Sequence, residues 1–384
     1  MLVAATIFTT QKDRIVQRWK LEGGVPRVPG QKVDNPMVNA DPGTLRAVPL
    51  TWPKEDFILL PDGVIAPVTR NTAPYTGMMV VYDWDSKEVI WKSDWGNLLL
   101  MPAGYRFADG VIYLNDLEGA SIFVIDAERE PGRLLKRISH PYLNDLHSLV
   151  RTRRGVLVTS SGNDAIFELD LNGNLLWEWW ATEHGYTVSP SGKERTSGRG
   201  QEHRDQYYHT RYHATHVNTA VMRDESERYV LSLLFHQGQL IQIDRSLPEA
   251  EQCAEVLLEG LARPHTLEKF EGGWLCCNSL GKELLVLDQN LKIAARIPYD
   301  GGWIQACTRL SNGHILLNDV DMSRLVEFTG SAPFEIVATT PYDANWRMAE
   351  LVEVPKHLEA SFSRARRTVA QAASGRSPEA AAAL

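Results

Sequence analysis

Between about residues 100 and 330 the chain alternates short runs of β-branched, aromatic and aliphatic residues with short polar breaks. The runs "GVLVTS" (155–160), "AIFELD" (165–170) and "LLWEWW" (175–180) are separated by "SGND" and "LNGN", whose Gly, Asn and Asp suit tight turns. With "HSLVRT" in front, they predict four antiparallel strands, A to D, of one sheet. The text recurs at a measurable spacing. His147 precedes Gly155 by eight residues and Asp170 by twenty-three; His265 precedes Gly273 and Asp288, and Gln305 precedes Gly313 and Phe328, by the same intervals. Asp83, Asp126 and Asp170 lie 43 and 44 residues apart, and Asp244 and Asp288 again 44. A period of ~40–50 residues with several short strands per unit predicts an all-β fold, the β-propeller.

Units close near Asp83, Asp126, Asp170, Asp244, Asp288 and Phe328, which accounts for six blades. The N-terminal "ATIFTTQKDRIVQRWKL" reads like the half-blade "DAIFELDLNGNLLWEWW", and the C-terminal "WRMAELVEVP" can supply a missing inner strand. The count therefore predicts seven blades, the last stitched from strands near Ile7 and Leu351 so that no open edge remains. Six blades, with the ends packed elsewhere, is the alternative. The propeller is expected to span 1–355. The tail 356–384 loses the strand pattern, which predicts a short helix and then disorder.

Two departures from the period matter. Asp170 to Asp244 is 74 residues, leaving an insertion at about 181–213 that carries His184, His203, His209 and His213 together with Tyr207, Tyr208 and Tyr212. Long loops without strand pattern in a compact fold commonly serve as lids or binding loops, so this segment is expected over the channel mouth. The second departure is the Pro- and Gly-rich stretch 23–43, expected to cross a face between the stitched blade and the first complete one.

In a four-stranded blade the start of strand A and the end of strand B share one face of the disc. His147, His216 and His265 stand at strand-A starts, and His236 at a strand-B end, so all four are expected on one rim of the channel. A single histidine there is ordinarily a turn or packing residue. Three in consecutive blades, where other blades hold Gln305 and Pro102, point to chemistry. The ends of strand B add Asn115, Asp116, Ser160, Ser161, Asn278, Ser279, Asn318 and Asp319, mostly expected to form turns, and Glu55 falls in the histidine register.

Neutral imidazoles from rigid strands can hold a divalent metal (Fe, Zn or Mn) with open positions for substrate. The expected ligands are His147, His216, His265 and His236, with His209 and His213 completing or covering the site. Asp145 and Asn218 are expected as partners of the ligand rings. The leading expectation is a metal-dependent enzyme acting on a small molecule, for which the insertion tyrosines suit a flat or aromatic one, with His216, His213 and Arg263 in catalysis.

The stretches "THVNTAV" and "HSLVRTRRGVLVTSSGNDAIFELDLNGNLLWEWW" resemble the blade text of arylsulfotransferase-like propellers, which is shared with strictosidine-synthase-like propellers, over roughly residues 100–330. That resemblance implies a propeller in which a channel histidine accepts a sulfuryl group from an aryl sulfate without a nucleotide. It implies His216 as nucleophile, His147 and His265 as helpers, and Arg263 or Arg211 as the sulfate partner. A metal-free histidine-based transferase or lyase is thus the second reading. A non-catalytic ligand- or protein-binding propeller is the third, since fold alone does not give chemistry.

A net charge of −8 and the absence of a basic stripe argue against a nucleic-acid partner. The start "MLVAATIFTT" lacks the features of a signal peptide and no run of 18 apolar residues occurs, so a soluble, cytoplasmic protein without a membrane partner is expected. The four cysteines are expected to be buried free thiols. The sequence leaves the oligomeric state, the substrate and the metal open.

Overall fold

The computed structural model describes residues 1–13, 15, 77–93, 95, 101–117, 119–204 and 210–365, and the backbone of four two-residue strands between 54 and 70. Among them are six four-stranded antiparallel sheets. Blade I joins Arg347–Glu353, Leu2–Thr9, Met78–Asp83 and Glu88–Lys92. Blade II is Pro102–Ala108, Val111–Asp116, Ser121–Asp126 and Leu134–Ile138; blade III is Leu146–Arg151, Gly155–Ser160, Ala165–Asp170 and Leu175–Trp180. Blade IV is Val217–Met222, Tyr229–Leu234, Gln239–Asp244 and Glu255–Leu258. Blade V is Pro264–Phe270, Gly273–Asn278, Glu283–Leu287 and Ile293–Pro298, and blade VI is Ile304–Arg309, Ile315–Asp319, Arg324–Phe328 and Ile336–Pro341. The first strand given for each blade lines the channel and touches the inner strands of both neighbouring blades, which closes the ring.

The two chain ends do share one sheet, with Ala5 opposite Leu351 and Ile7 opposite Met348. The expected count of seven is nevertheless corrected to six. The N-terminal strand is strand B of the very unit that closes at Asp83, since it pairs on its other side with Met78–Asp83. The segment that carries Glu55 pairs within itself, Lys54–Glu55 with Thr69–Arg70 and Ile58–Leu59 with Ile65–Ala66.

Alternation explains why the second strand of each blade is largely apolar, since both of its faces are covered. Along Leu2–Thr9, Leu2 and Ala4 enter the core shared with blade II, while Val3, Ala5 and Ile7 enter the core shared with blade VI. Four further apolar clusters fill the remaining junctions. The repeat's aspartates are turn formers: Asp170 Oδ1 accepts the N–H groups of Asn172 and Asn174, and Asp288 Oδ1 those of Asn290 and Lys292. Gly155 recurs as Gly273 because a Cβ there would sit 1.8 or 2.0 Å from the carbonyl oxygen of Leu169 or Leu287.

Cys276, Cys277 and Cys307 are buried free thiols, but Cys253 is exposed, contrary to expectation. Residues 359–365 are helical and bury Phe362 against Trp91 and Phe107. No described helix is long and apolar enough to cross a membrane.

Candidate metal centre at the channel rim

Every inner strand begins with a register shift against its partner, a bulge that re-aims the first side chains. Leu146, Val217 and Pro264 are the equivalent first residues, paired with Ser160, Leu234 and Asn278. His147 and His265 therefore share a position, which in blade IV belongs to Asn218. His216 does not share it, and this corrects the assigned register. Its true counterparts, immediately before the strand, are Asp145 and Arg263. All three have positive φ, 51°, 48° and 55°, a left-handed backbone that costs a non-glycine residue ~1–3 kcal/mol. The bend turns three side chains with metal-binding or charged groups onto one rim.

Three donor atoms meet there. His213 Nδ1 and His216 Nδ1 are 2.8 Å apart, and each is 3.8 Å from Asp145 Oδ2. A point about 2.0 Å from all three atoms lies in their plane, close to the ~2.0–2.2 Å of zinc–nitrogen and zinc–carboxylate bonds. Asp145, His213 and His216 thus form a group that could hold a metal ion. Both rings are buried. Burial, then the nearby rings of His147 and His213, hold His216 well below the ordinary imidazole range, so that it is a neutral donor at pH 7. Two histidines and one carboxylate are donors that both zinc and non-haem iron accept.

The remaining expected residues fall around this group. His147 lies edge-on to His216, ring centroids 4.6 Å apart, with Nε2 3.7 Å from Asp145 Oδ1. His265 spends Nδ1 on Ser279 Oγ at 2.8 Å and is separated from His216 by the ring of Phe235. His236 bonds the Thr210 carbonyl oxygen through Nε2 at 2.7 Å. The ligand set expected from sequence, His147, His216, His265 and His236, is thus not the set whose donors converge; Asp145 and His213 take the other two places beside His216. Burial pushes His265 well below its ordinary range and His236 down to about 4. Arg263 lies over the Phe235 ring at 4.9 Å, and burial, then Arg211, lowers its pKa. Trp303 packs edge-on against His265 and extends this aromatic wall.

Asn218, expected as a partner of His216, instead donates Nδ2 to the Pro264 carbonyl and ties blade IV to blade V. Among the polar ends of strand B, Asp116, Ser160 and Asn278 accept N–H groups of Met101, Asn144 and Ala262 and so staple the loops that lead into the inner strands. His184 stacks on Trp179, and buried His203 bonds Gly198 oxygen; neither is one of the converging donors. His209, Tyr207 and Tyr208 lie outside the described residues, as do the Pro- and Gly-rich stretch and the end of the tail; nothing is described of the Glu55 side chain.

Two site residues escaped the sequence reading. Asp164, fully buried in the loop after strand B of blade III, accepts the N–H groups of Ala214, Thr215 and His216 at 2.7, 2.7 and 2.9 Å and the Thr215 hydroxyl at 2.9 Å. Arg195, from the insertion, sits 3.3 Å from Asp164 Oδ2. The insertion accordingly packs on the histidine rim of blade III.

No family model matches the chain, and no curated protein matches it. Solved structures do. A nidogen–laminin complex is similar with a TM-score of 0.52 at 11% identity, over 71% of this chain and 94% of that one. Virginiamycin B lyase from Staphylococcus aureus gives 0.44 at 10%, over 65% and 73%, and a putative 6-phosphogluconolactonase from Bacteroides uniformis 0.48 at 14%, over 69% and 78%. The likeness is one of fold.

Proposed function

We propose that this propeller is a metal-dependent enzyme acting on a small molecule at the histidine rim, with a divalent ion held by Asp145, His213 and His216. The observation that carries the reading is the convergence of two Nδ1 atoms and one carboxylate oxygen around a single point. When bound, the ion supplies Lewis acidity and an activated water. The chain's own residues do the rest. His147, beside Asp145 and outside the ligand triangle, is placed to accept or return a proton. Arg263 offers a cation for an anionic group, and Phe235 with Trp303 offers an apolar, aromatic wall, which favours a flat anionic substrate. Below the rim the channel holds a small cavity of about 30 Å³ lined in part by His147, His265 and Gln305.

The test is cobalt titration of chelator-treated full-length protein, read by the absorption spectrum. One saturable ion, lost in His213→Ala and Asp145→Ala, supports the reading; no binding removes it.

A second reading rests on the neutral ring of His216. In a metal-free protein that ring could attack the sulfur of an aryl sulfate, expelling the aryl oxygen, which takes a proton. The sulfuryl group would then pass to an acceptor hydroxyl, as the arylsulfotransferase resemblance implies. An acid-labile sulfohistidine at His216, formed without metal, is its signature.

A further inference from the structure

His213 is the last residue of the insertion, whereas Asp145 and His216 belong to the blades. The donor group is therefore complete only while the end of the insertion is docked. One guanidinium bridges the docked segment and blade III. Arg195 places Nε 3.3 Å from Asp164 Oδ2, donates Nη1 to the Tyr212 carbonyl at 2.8 Å and donates Nη2 to the Gly162 carbonyl at 2.7 Å. Its planar fork thus joins the middle of the insertion, the residue before His213, and the blade III loop that carries Asp164. The other acceptor positions of Asp164 hold the turn Ala214–His216, including the left-handed His216. From blade IV, Gln237 donates to the Ala214 carbonyl at 2.7 Å and His236 to that of Thr210, also at 2.7 Å. The contacts from Arg195 to Tyr212, from Asp164 to residues 214–216, and from Gln237 and His236 all hold the segment 210–216, and none of them uses an atom of the donor triangle.

We propose that Arg195 and Asp164 form a latch that makes metal binding and docking of the insertion one coupled event. The inference rests on the metal reading above. Arg195 is a positioning residue: it acts through the backbone of Tyr212 and through Asp164. Coupling is reciprocal, so if the latch raises metal affinity by some factor, metal must favour the docked insertion by the same factor.

The experiment follows cobalt affinity and tryptic cleavage within 181–213, where Lys193 is exposed, on the full-length protein. Expected are a loss of cobalt affinity of at least tenfold in Arg195→Ala and a smaller loss in Arg195→Lys, which keeps the charge but not the fork. In the wild-type protein, cobalt should slow cleavage severalfold, and Arg195→Ala should abolish that protection. Thr215→Val, which removes a single hydroxyl contact to Asp164, tests the same idea if Arg195→Ala does not fold, with an expected affinity loss of a few fold. A purely structural Arg195 would lower the unfolding midpoint of the metal-free protein while leaving cobalt affinity and metal-dependent protection intact, and that result overturns the latch. A wild-type protein that binds no cobalt overturns the metal reading and the latch together; one that binds cobalt as tightly after Arg195→Ala overturns the latch alone.

Discussion

His236 Nε2 meets the carbonyl oxygen of Thr210 at 2.7 Å. A carbonyl only accepts, so Nε2 must carry the ring's proton and cannot be a metal-binding lone pair. The histidine that returns to the rim from strand B thereby supports the insertion through Nε2, and the ring whose donor atom converges with those of His216 and Asp145 is His213, four residues before the start of the inner strand.

This division of labour gives a ligand scan with a definite pattern. His213→Ala, His216→Ala and Asp145→Ala should each lower metal affinity by 100-fold or more, whereas His265→Ala should stay within a few fold of wild type. His236→Ala should cost about 1 kcal/mol of stability through its lost hydrogen bond, with a modest affinity loss through the insertion. Cobalt titration and urea unfolding measure the two effects separately. A pattern in which His265→Ala abolishes binding would restore the set of four histidines.

The stitched blade gives a stability prediction. Ile7 and Leu351 are buried in the core between blades I and VI, so either residue changed to Ala should destabilise by about 2–5 kcal/mol. Ile336, exposed on the outer strand of blade VI, should change stability by less than about 0.5 kcal/mol on the same substitution. Denaturant midpoints decide between a ring closed by the chain ends and ends that merely lie against it.

Glu350 gives a pH dependence. It sits on the channel strand of blade I, 3.9 Å from Arg106, whose Nη2 lies nearer Glu268, at 3.2 Å. Burial pushes its carboxyl up to about 7 against the opposing pull of Arg106. Between pH ~4.5 and 7 the folded protein holds this proton more tightly than the unfolded chain, so stability from this group is full at the acid end and lost as pH rises through 7. The loss amounts to about 2–3 kcal/mol. Unfolding free energies from pH 5 to 8 should show that decline, and Glu350→Gln should flatten it and be the more stable protein at pH 8. Parallel curves for the two proteins would show that Glu350 has an ordinary pKa.

What was legible in the chain was whatever a residue does to its near neighbours. Asp170 and Asp288 recur because an aspartate caps the turn two to four residues on, and Gly155 and Gly273 because a Cβ there meets the partner strand. Such requirements imprint a period. Whether Leu2–Thr9 is strand B or the end of a separate blade depends on pairing with Met78–Asp83 across most of a hundred residues, and nothing local records it. The same limit governs the site. His216 was recognisable as a rim histidine, but its kinship with Asp145 and Arg263 depends on a bulge and a left-handed residue. Asp164 looked like part of a turn because its partners lie 50 to 52 residues downstream.

The most direct measurement of the central claim is X-ray absorption at the metal edge of the purified full-length protein, together with its elemental content. One divalent ion per chain is predicted, with two imidazole nitrogens and one carboxylate oxygen at about 2.0–2.2 Å, and with one imidazole missing from the shell in His213→Ala. A protein that contains no metal and acquires none, or an ion whose surroundings do not change in His213→Ala, would contradict it.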